Sequence, residues 1–167
     1  AREDAEMILS YNEDQIGRIM TTNFIVINKE DTIPVAMKKL VKQSGDNDNI
    51  STIFVVDDDN KYFGAVDLKD LIKARKNAIL ANICMENYPS VLASAIVSEV
   101  YQDVVDYGED IIPVLDDSEH LIGALTAHDL VEVTGEEMQE DYQKFAAING
   151  NVDLDSNVWT SIKKRIP

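Results

Sequence analysis

The residues with most to offer chemically lie in "HDLVEVTGEEMQEDY", His128 to Tyr142. Six carboxylates, Asp129, Glu132, Glu136, Glu137, Glu140 and Asp141, stand there without a Lys or Arg. At helical spacing Asp129, Glu132, Glu136 and Glu140 fall at i, i+3, i+7 and i+11 and share one face, with Glu137 and Asp141 beside it. Like charges three or four apart destabilise a helix by a few tenths of a kcal/mol per pair. Such a face suits a hard dication, because Mg2+ takes one or two carboxylates and keeps several waters. Two acidic faces meeting at about 4 Å repel by roughly 4 kcal/mol per charge pair at an effective dielectric of 20, and a shared dication reverses the sign. The competing reading is a solvated acidic face that binds nothing. Gly135 interrupts the run at a cost of about 1 kcal/mol against Ala, and a break there would turn Glu136 and Glu137 away from Asp129.

Composition narrows the partners. The chain has 167 residues and a formal net charge of -16, from 31 acidic and 15 basic residues. That surface repels phosphate backbones, which argues against nucleic acid and for divalent cations or basic partners. Cys84 is the single cysteine, so no internal disulfide forms and a reducing compartment fits. Among the apolar neighbours of "NICM" it reads as a small core hydrophobe. His120 and His128 have no spacing that suggests zinc. Gly-rich phosphate loops, a nucleophile elbow and HExxH are all missing from the sequence, so an enzyme has nothing to stand on. Apolar runs such as "IFVV" are too short to span a bilayer. The start, "AREDAEMILS", lacks an initiator Met and a signal-peptide pattern, and reads as the edge of a fragment of a longer protein.

The elements that must position these residues occur twice. "ISTIFVVDDDNKYFGAVDLKDLIKA" (50–74) aligns without a gap with "EDIIPVLDDSEHLIGALTAHDLVEV" (109–133), pairing Asp57 with Asp116, Gly64 with Gly123 and Asp70 with Asp129. Upstream, 19–40 matches 83–104, with five extra residues of the first copy falling in the polar loop "QSGDNDN". Each copy reads as a short strand ("FIVI"; "YPSVL"), an amphipathic helix, two strands joined by an acidic turn, and a second helix. In the first copy Asp31-Thr32 opens the helix, and Val35, Leu40 and Val41 recur at helical intervals. Two β-α-β-β-α units, each too small for its own core, are expected to pack their sheets together. Gly64 and Gly123, inside strands, are expected to mark close backbone approach or a bulge.

The repeat resembles a pair of CBS domains, whose strand-Asp-turn-strand-Gly-x-x-[Ser/Thr]-x-x-Asp signature stands here as "GALTAHD" and, with Asp67 in the hydroxyl position, "GAVDLKD". The flanks resemble MgtE-type magnesium transporters: the lead-in "LSYNEDQIGRIMTTNF", the acidic linker "GEEMQEDYQKFAAI", and "VDLDSNVWTSIKKRIP", similar to the connecting, or plug, helix. The implied fold is α+β, a tandem CBS pair followed by a C-terminal connecting helix. The implied boundaries are a lead-in over 1–15, CBS units over 16–77 and 78–134, an acidic linker helix over 135–151, and the connecting helix from 152 to 167. The implied role is the Mg2+-sensing part of a homodimeric channel on the cytoplasmic face of the membrane, with Mg2+ holding the pore shut. Its own transmembrane pore domain and an N-terminal cytosolic domain would be further partners.

Carried across residue by residue, Asp129, Glu137, Glu140 and Asp141 match the family's acidic ligands and Glu132 keeps an acid. In and after the first helix of the second unit, where the family has acids, this chain has Ile96, Ser98 and Gly108, while Glu99 remains. The resemblance also implies an adenine nucleotide such as ATP, with Asp70 on ribose and Lys69 or Thr126 on phosphate. Asp67 opposes it by repelling phosphate, Asp129 is claimed by the metal as well, and both terminal aspartates equally fit helix caps. The alternative function is an adenine-nucleotide-responsive CBS module of another transporter or enzyme. At the C-terminal end, Ser156 or Asn157 fits a helix N-cap. Lys163, Lys164 and Arg165 suit the last turn and a cytoplasmic membrane boundary, with Trp159 fitting the same interface.

Overall fold

A computed structural model of the chain describes residues 2–47 and 50–130. The compact unit described here ends at Leu130, and residues 131–167 lie outside the described residues. The acidic linker, the connecting helix and five of the proposed metal ligands (Glu132, Glu136, Glu137, Glu140 and Asp141) therefore lie outside them as well.

Both repeats build one topology. In the first, β1 (Val26–Asn28) leads through α3 (Ile33–Ser44) to the hairpin β2 (Thr52–Val56) and β3 (Tyr62–Asp67), closed by α4 (Leu68–Lys73). In the second, β4 (Val91–Leu92) leads through α6 (Val97–Tyr107) to β5 (Ile111–Leu115) and β6 (Leu121–Thr126), and the chain turns helical again at Ala127. Short helices precede each repeat: α1 (Arg2–Leu9) and α2 (Ile16–Ile19) before the first, α5 (Leu80–Ile83) before the second. The sheets run β1-β2-β3 and β4-β5-β6, each with a parallel pair and then an antiparallel one. A register shift falls at the same repeat position in both, between Val55 and Val56 and between Val114 and Leu115.

Local chemistry sets these elements. Thr32 caps α3, its Oγ1 accepting from the Val35 N–H at 3.3 Å, and Pro34 sits in the first turn. The buried stripe of α3 is Ile33, Ala36 and Leu40. Of the apolar residues that recur at helical intervals, Leu40 is buried, whereas Val35 and Val41 are 42% and 66% exposed. The i, i+3, i+7 stripe from Ile33 meets the sheet, and Val35 and Val41 lie off it. The helix also runs through Gln43 and Ser44, which the sequence assigns to the loop. Strand β4 is shorter than "YPSVL" suggests. In the first repeat Phe54 N–H donates to the Ile25 carbonyl at 2.9 Å, but its equivalent is Pro113, which has no N–H to give.

The hairpin turns are alike. Asp57 Oδ1 accepts from the Asp59 and Lys61 N–H groups, and Asp116 Oδ1 from those of Ser118 and His120, all at 2.9 Å. Asn60 (φ 63°) and Glu119 (φ 70°) take the left-handed conformation at matching positions. The turns then pair with each other, Tyr62 N–H donating to the Glu119 carbonyl and Leu121 N–H to that of Asn60, both at 3.0 Å.

The lead-in segments cross over. Ile16 and Met20 are buried with Val91, Ile112, Val114 and Leu125 of the second repeat, and Met7, Ile8 and Tyr11 pack against that cluster. Leu80 is buried with Ile27, Ile53, Val66 and Leu71 of the first repeat. A third cluster joins the sheets: Phe54, Ala65 and Tyr88 with Ile111, Leu121 and Ala124. The expected sheet-to-sheet packing is therefore observed.

Candidate functional site

The turn from β6 into the following helix carries the better-formed half of the sequence motif. Thr126 Oγ1 accepts from the Asp129 N–H at 3.0 Å, so Thr126 is the cap and the Asp129 carboxylate points elsewhere. That settles one alternative: the second-repeat aspartate does not cap this turn. Both residues line a hollow of about 190 Å³ with Thr21, Asn23, Asp46, Asn47 and Ile111. Asp129 is half-buried and Asp46 exposed, and no Lys or Arg among the described residues lines the space. Its side-chain donors are carboxylate, hydroxyl and amide groups, which suit a hydrated hard cation better than an anion. Asp46 and Asn47 were not marked by the sequence as site residues. Their signal was there: the five-residue surplus is rich in Asp and Asn, and only one copy has it.

The equivalent turn of the first repeat is chemically different. Asp67 occupies the cap position of α4 without a side-chain cap bond. It lines an open hollow of about 560 Å³ with Ser51, Leu68, Lys69, Ile72 and Lys73. Lys69 thus lies where the sequence places it, and Lys73 joins it. Asp70 lies in the first turn of α4 but does not line the hollow, and being inside the helix it is not its cap.

Glu99 is exposed in the first turn of α6. It does not line the hollow that holds Asp129, so the structure brings Thr126 and Asp129 together and leaves Glu99 apart. Gly108, at the gap in the expected acids, is the left-handed C-cap of α6 at φ 70°. Among the described residues no three His, Cys, Asp or Glu side chains converge as a metal site. Cys84 is half-buried against the first-repeat core, and burial, with Glu86 nearby, pushes its thiol up to about 12. A thiol so protonated is a poor nucleophile, in line with a packing role.

The glycines explain how the halves approach. A Cβ on Gly64 would lie 2.6 Å from the Met85 carbonyl oxygen and 2.7 Å from Cys84 Sγ. A Cβ on Gly123 would meet Met20 Sδ and come within 3.2 Å of the Thr21 carbonyl oxygen. Met85 and Thr21 make the matching bridges, Ala65 to Met85 and Thr21 to Ala124. Gly at both positions is the close-approach residue the sequence calls for.

Two tandem β-α-β-β-α units with exchanged lead-ins are the architecture of a known module, and the CBS domain model matches residues 16–77 and 80–136. The chain belongs to the CBS-domain family. It is 31% identical over 160 residues to the magnesium transporter MgtE of Enterococcus faecalis, a match covering 96% of this chain and 35% of that protein. The chain thus spans about a third of the length of the curated relatives it matches first. Its fold is shared with the soluble part of a magnesium transporter (TM-score 0.74, 32% identity, 79% of this chain and 52% of the other). A similar match is the cytosolic domain of the Mg2+ channel MgtE in complex with ATP (TM-score 0.74, 28% identity, 79% and 53%). CBS membership and these relatives point to a regulatory or transport-associated module rather than a catalytic one. No helix among the described residues is long and apolar enough to cross a membrane.

Proposed function

We propose that this chain is the Mg2+-sensing regulatory part of a homodimeric magnesium transporter, lying on the cytoplasmic face of the membrane. Its pore domain and an N-terminal cytosolic domain would belong to the remainder of the protein. The observation that carries the proposal is the reach of the MgtE likeness. It runs over 160 residues, well past the CBS pair and through the acidic segment that follows. The oxygen-lined hollow at Asp129 and a net charge of -16 support the same reading.

In the proposed mechanism Asp129, Glu132, Glu136, Glu137, Glu140 and Asp141 form acidic faces that repel until Mg2+ bridges them, with Glu99 a peripheral contributor. Each close pair left unbridged costs roughly 4 kcal/mol at an effective dielectric of 20. Bound Mg2+ supplies positive charge that favours the closed arrangement. Without the ion, the carboxylates of these residues would repel one another and favour the open arrangement.

The test is limited proteolysis of the chain across a Mg2+ titration, with Na+ at matched ionic strength. Protection between Gly135 and Asn157 at millimolar Mg2+, absent with Na+ and lost in Asp129→Asn combined with Glu136→Gln and Glu140→Gln, is the expected result. An unchanged digestion pattern would remove the sensor reading for this segment.

A second ligand is favoured by the first-repeat hollow. Its volume of about 560 Å³ and the two lysines Lys69 and Lys73 suit an adenine nucleotide such as ATP. Asp70, outside that lining, and Asp67, a carboxylate within it, weigh against the motif's usual roles. Thr126, whose Oγ1 accepts from the Asp129 N–H, keeps its hydroxyl proton to donate to a phosphate at a second-repeat site. Calorimetry with ATP, with Lys69→Ala as control, decides it: no heat at millimolar nucleotide rejects the reading.

A further inference from the structure

The edge strands β1 and β4 are equivalent in the two repeats, yet one is closed and the other open. In the first repeat side chains cover the edge. Asp31 Oδ2 accepts from the Asn28 N–H at 3.0 Å, and the Gln43 amide accepts from the Val26 N–H and donates to the Val26 carbonyl. Lys39 completes the cover, its Nζ 2.7 Å from Asp31 Oδ2. The register of the repeats puts Ala95, Asp103 and Tyr107 where Asp31, Lys39 and Gln43 stand. Ala95 keeps the backbone turn, its N–H donating to the Leu92 carbonyl at 3.1 Å, but brings no carboxylate. Ala93 N–H donates to the Leu115 carbonyl at 2.8 Å, so Val91 and Ala93 face β5, and the alternate residues Ser90 and Leu92 turn their backbone groups to the open side. Among the described residues the Ser90 N–H and carbonyl and the Leu92 N–H have no hydrogen-bond partner. Beside them lies a hollow of about 200 Å³, which Ser90, Leu92, Ala95, Val100, Asp103 and Tyr107 help to line. Sites for whole small molecules begin at roughly 300 Å³, so this one suits a side chain instead. Leu92 and Tyr107, each 44% exposed, give it apolar walls. Asp103 is exposed and has no ion pair among the described residues.

We propose that β4 receives an extended, basic peptide segment of a partner protein, which adds a strand to the edge of the second sheet. The first repeat specifies the chemistry, because its own side chains fill the equivalent place. Asp31 gives an acceptor to one outward residue of β1, and Gln43 gives a donor and an acceptor to the other. A peptide backbone carries both kinds of group at strand spacing and can answer Leu92 and Ser90 in the same way. Main-chain bonds then supply affinity, and the hollow beside the strand supplies specificity for one side chain. Charge decides which side chain. Where the first repeat has the cation Lys39, the second has the anion Asp103, so the incoming segment must bring the Lys or Arg. An acidic segment would be repelled by Asp103, and a neutral one would leave it uncompensated. The proposal is independent of the Mg2+ reading.

The probe is a blocked pentapeptide of alternating valine and lysine, added to the whole chain, with its backbone N-methylated twin as a control of equal charge. Amide exchange at Ser90 and Leu92, followed by nuclear magnetic resonance, is expected to slow by about tenfold with the first peptide and to stay unchanged with the second. Equal slowing by both would reduce the contact to charge attraction, and no slowing by either would mean no docking; each overturns the proposal. Slowing that grows with protein concentration in the absence of peptide would assign the edge to a second copy and overturn it too. Ala95→Asp combined with Asp103→Lys and Tyr107→Gln rebuilds the closure of the first repeat at exposed or half-buried positions. It is expected to weaken peptide binding by about tenfold, and unchanged affinity would overturn the proposal.

Discussion

At the scale of single residues, the two close-approach glycines are alike in role and unequal in tolerance. A methyl on Gly64 meets the Met85 carbonyl oxygen at 2.6 Å, and backbone has little room to yield; on Gly123 the nearest atom is Met20 Sδ, at the end of a flexible side chain. Gly64→Ala is expected to destabilise by about 1–3 kcal/mol and Gly123→Ala by less, as read from urea midpoints; the reverse order would refute the account. The turn aspartates give a pH signature. Desolvation pushes Asp116 up, but the backbone N–H groups of His120 and Ser118, and the His120 ring at 3.1 Å, outweigh it and hold the carboxyl below its ordinary range. Asp57 is likewise lowered, chiefly by the Lys61 N–H. A depressed folded value means stability that is present above the unfolded pKa, about 4, and lost as pH falls through the folded one. Asp116→Ala is therefore expected to cost about 1 kcal/mol at neutral pH. The gap from the parent protein should shrink below about pH 4, and a constant gap down to pH 2–3 would exclude the ionised carboxylate as its source.

At the scale of elements, one difference between the repeats is a side chain that closes a strand edge. The Gln43 amide closes the edge of β1, its Oε1 accepting from Val26 N–H at 3.0 Å and its Nε2 donating to the Val26 carbonyl at 2.9 Å. Tyr107 stands at the equivalent position in α6 and has no amide to do this. Gln43→Ala is expected to cost about 1–2 kcal/mol and to speed hydrogen exchange at Val26, whereas Tyr107→Ala should leave the exchange of β4 unchanged. Neither bond was legible in the sequence, because it joins residues 17 positions apart. The repeat, the hairpins and both strand glycines were legible, since period, turn chemistry and alignment register are local. The helical spacing of Val35, Leu40 and Val41 did not say which of them is buried, because several apolar stripes fit one short helix and only the sheet decides. The Asp129 site was half legible: the motif marks Thr126 and Asp129, but Asp46 and Asn47 reach it from a loop that sequence alone leaves unplaced.

At the scale of the molecule, the exchange of lead-in segments decides what can fold alone. A cut between Asn77 and Ala78 falls where the repeats separate in sequence, yet it divides both cores. The first fragment would lose Leu80, 1% exposed among Ile27, Ile53 and Leu71, along with Ile83 and Cys84 packed beside it. The second would lose Ile16 and Met20 from among Val91, Ile112 and Leu125. It would also lose two backbone anchors, Ile16 N–H to the Ala95 carbonyl and Gly17 N–H to that of Ala93, at 2.9 and 2.8 Å. Burying each large aliphatic side chain is worth about 1.5–3 kcal/mol, and the inter-sheet cluster around Phe54 and Ile111 would open to water in both pieces. Losses on that scale consume the roughly 5–15 kcal/mol of a whole domain. Fragments 1–77 and 78–167 are therefore expected to be unfolded separately and to regain structure when mixed at equal concentration. Far-ultraviolet circular dichroism of each piece and of the mixture checks it. A cooperative thermal transition in either fragment alone would mean that its repeat holds a sufficient core without its neighbour's lead-in. A mixture that merely sums the two spectra would show that the crossover requires a continuous chain.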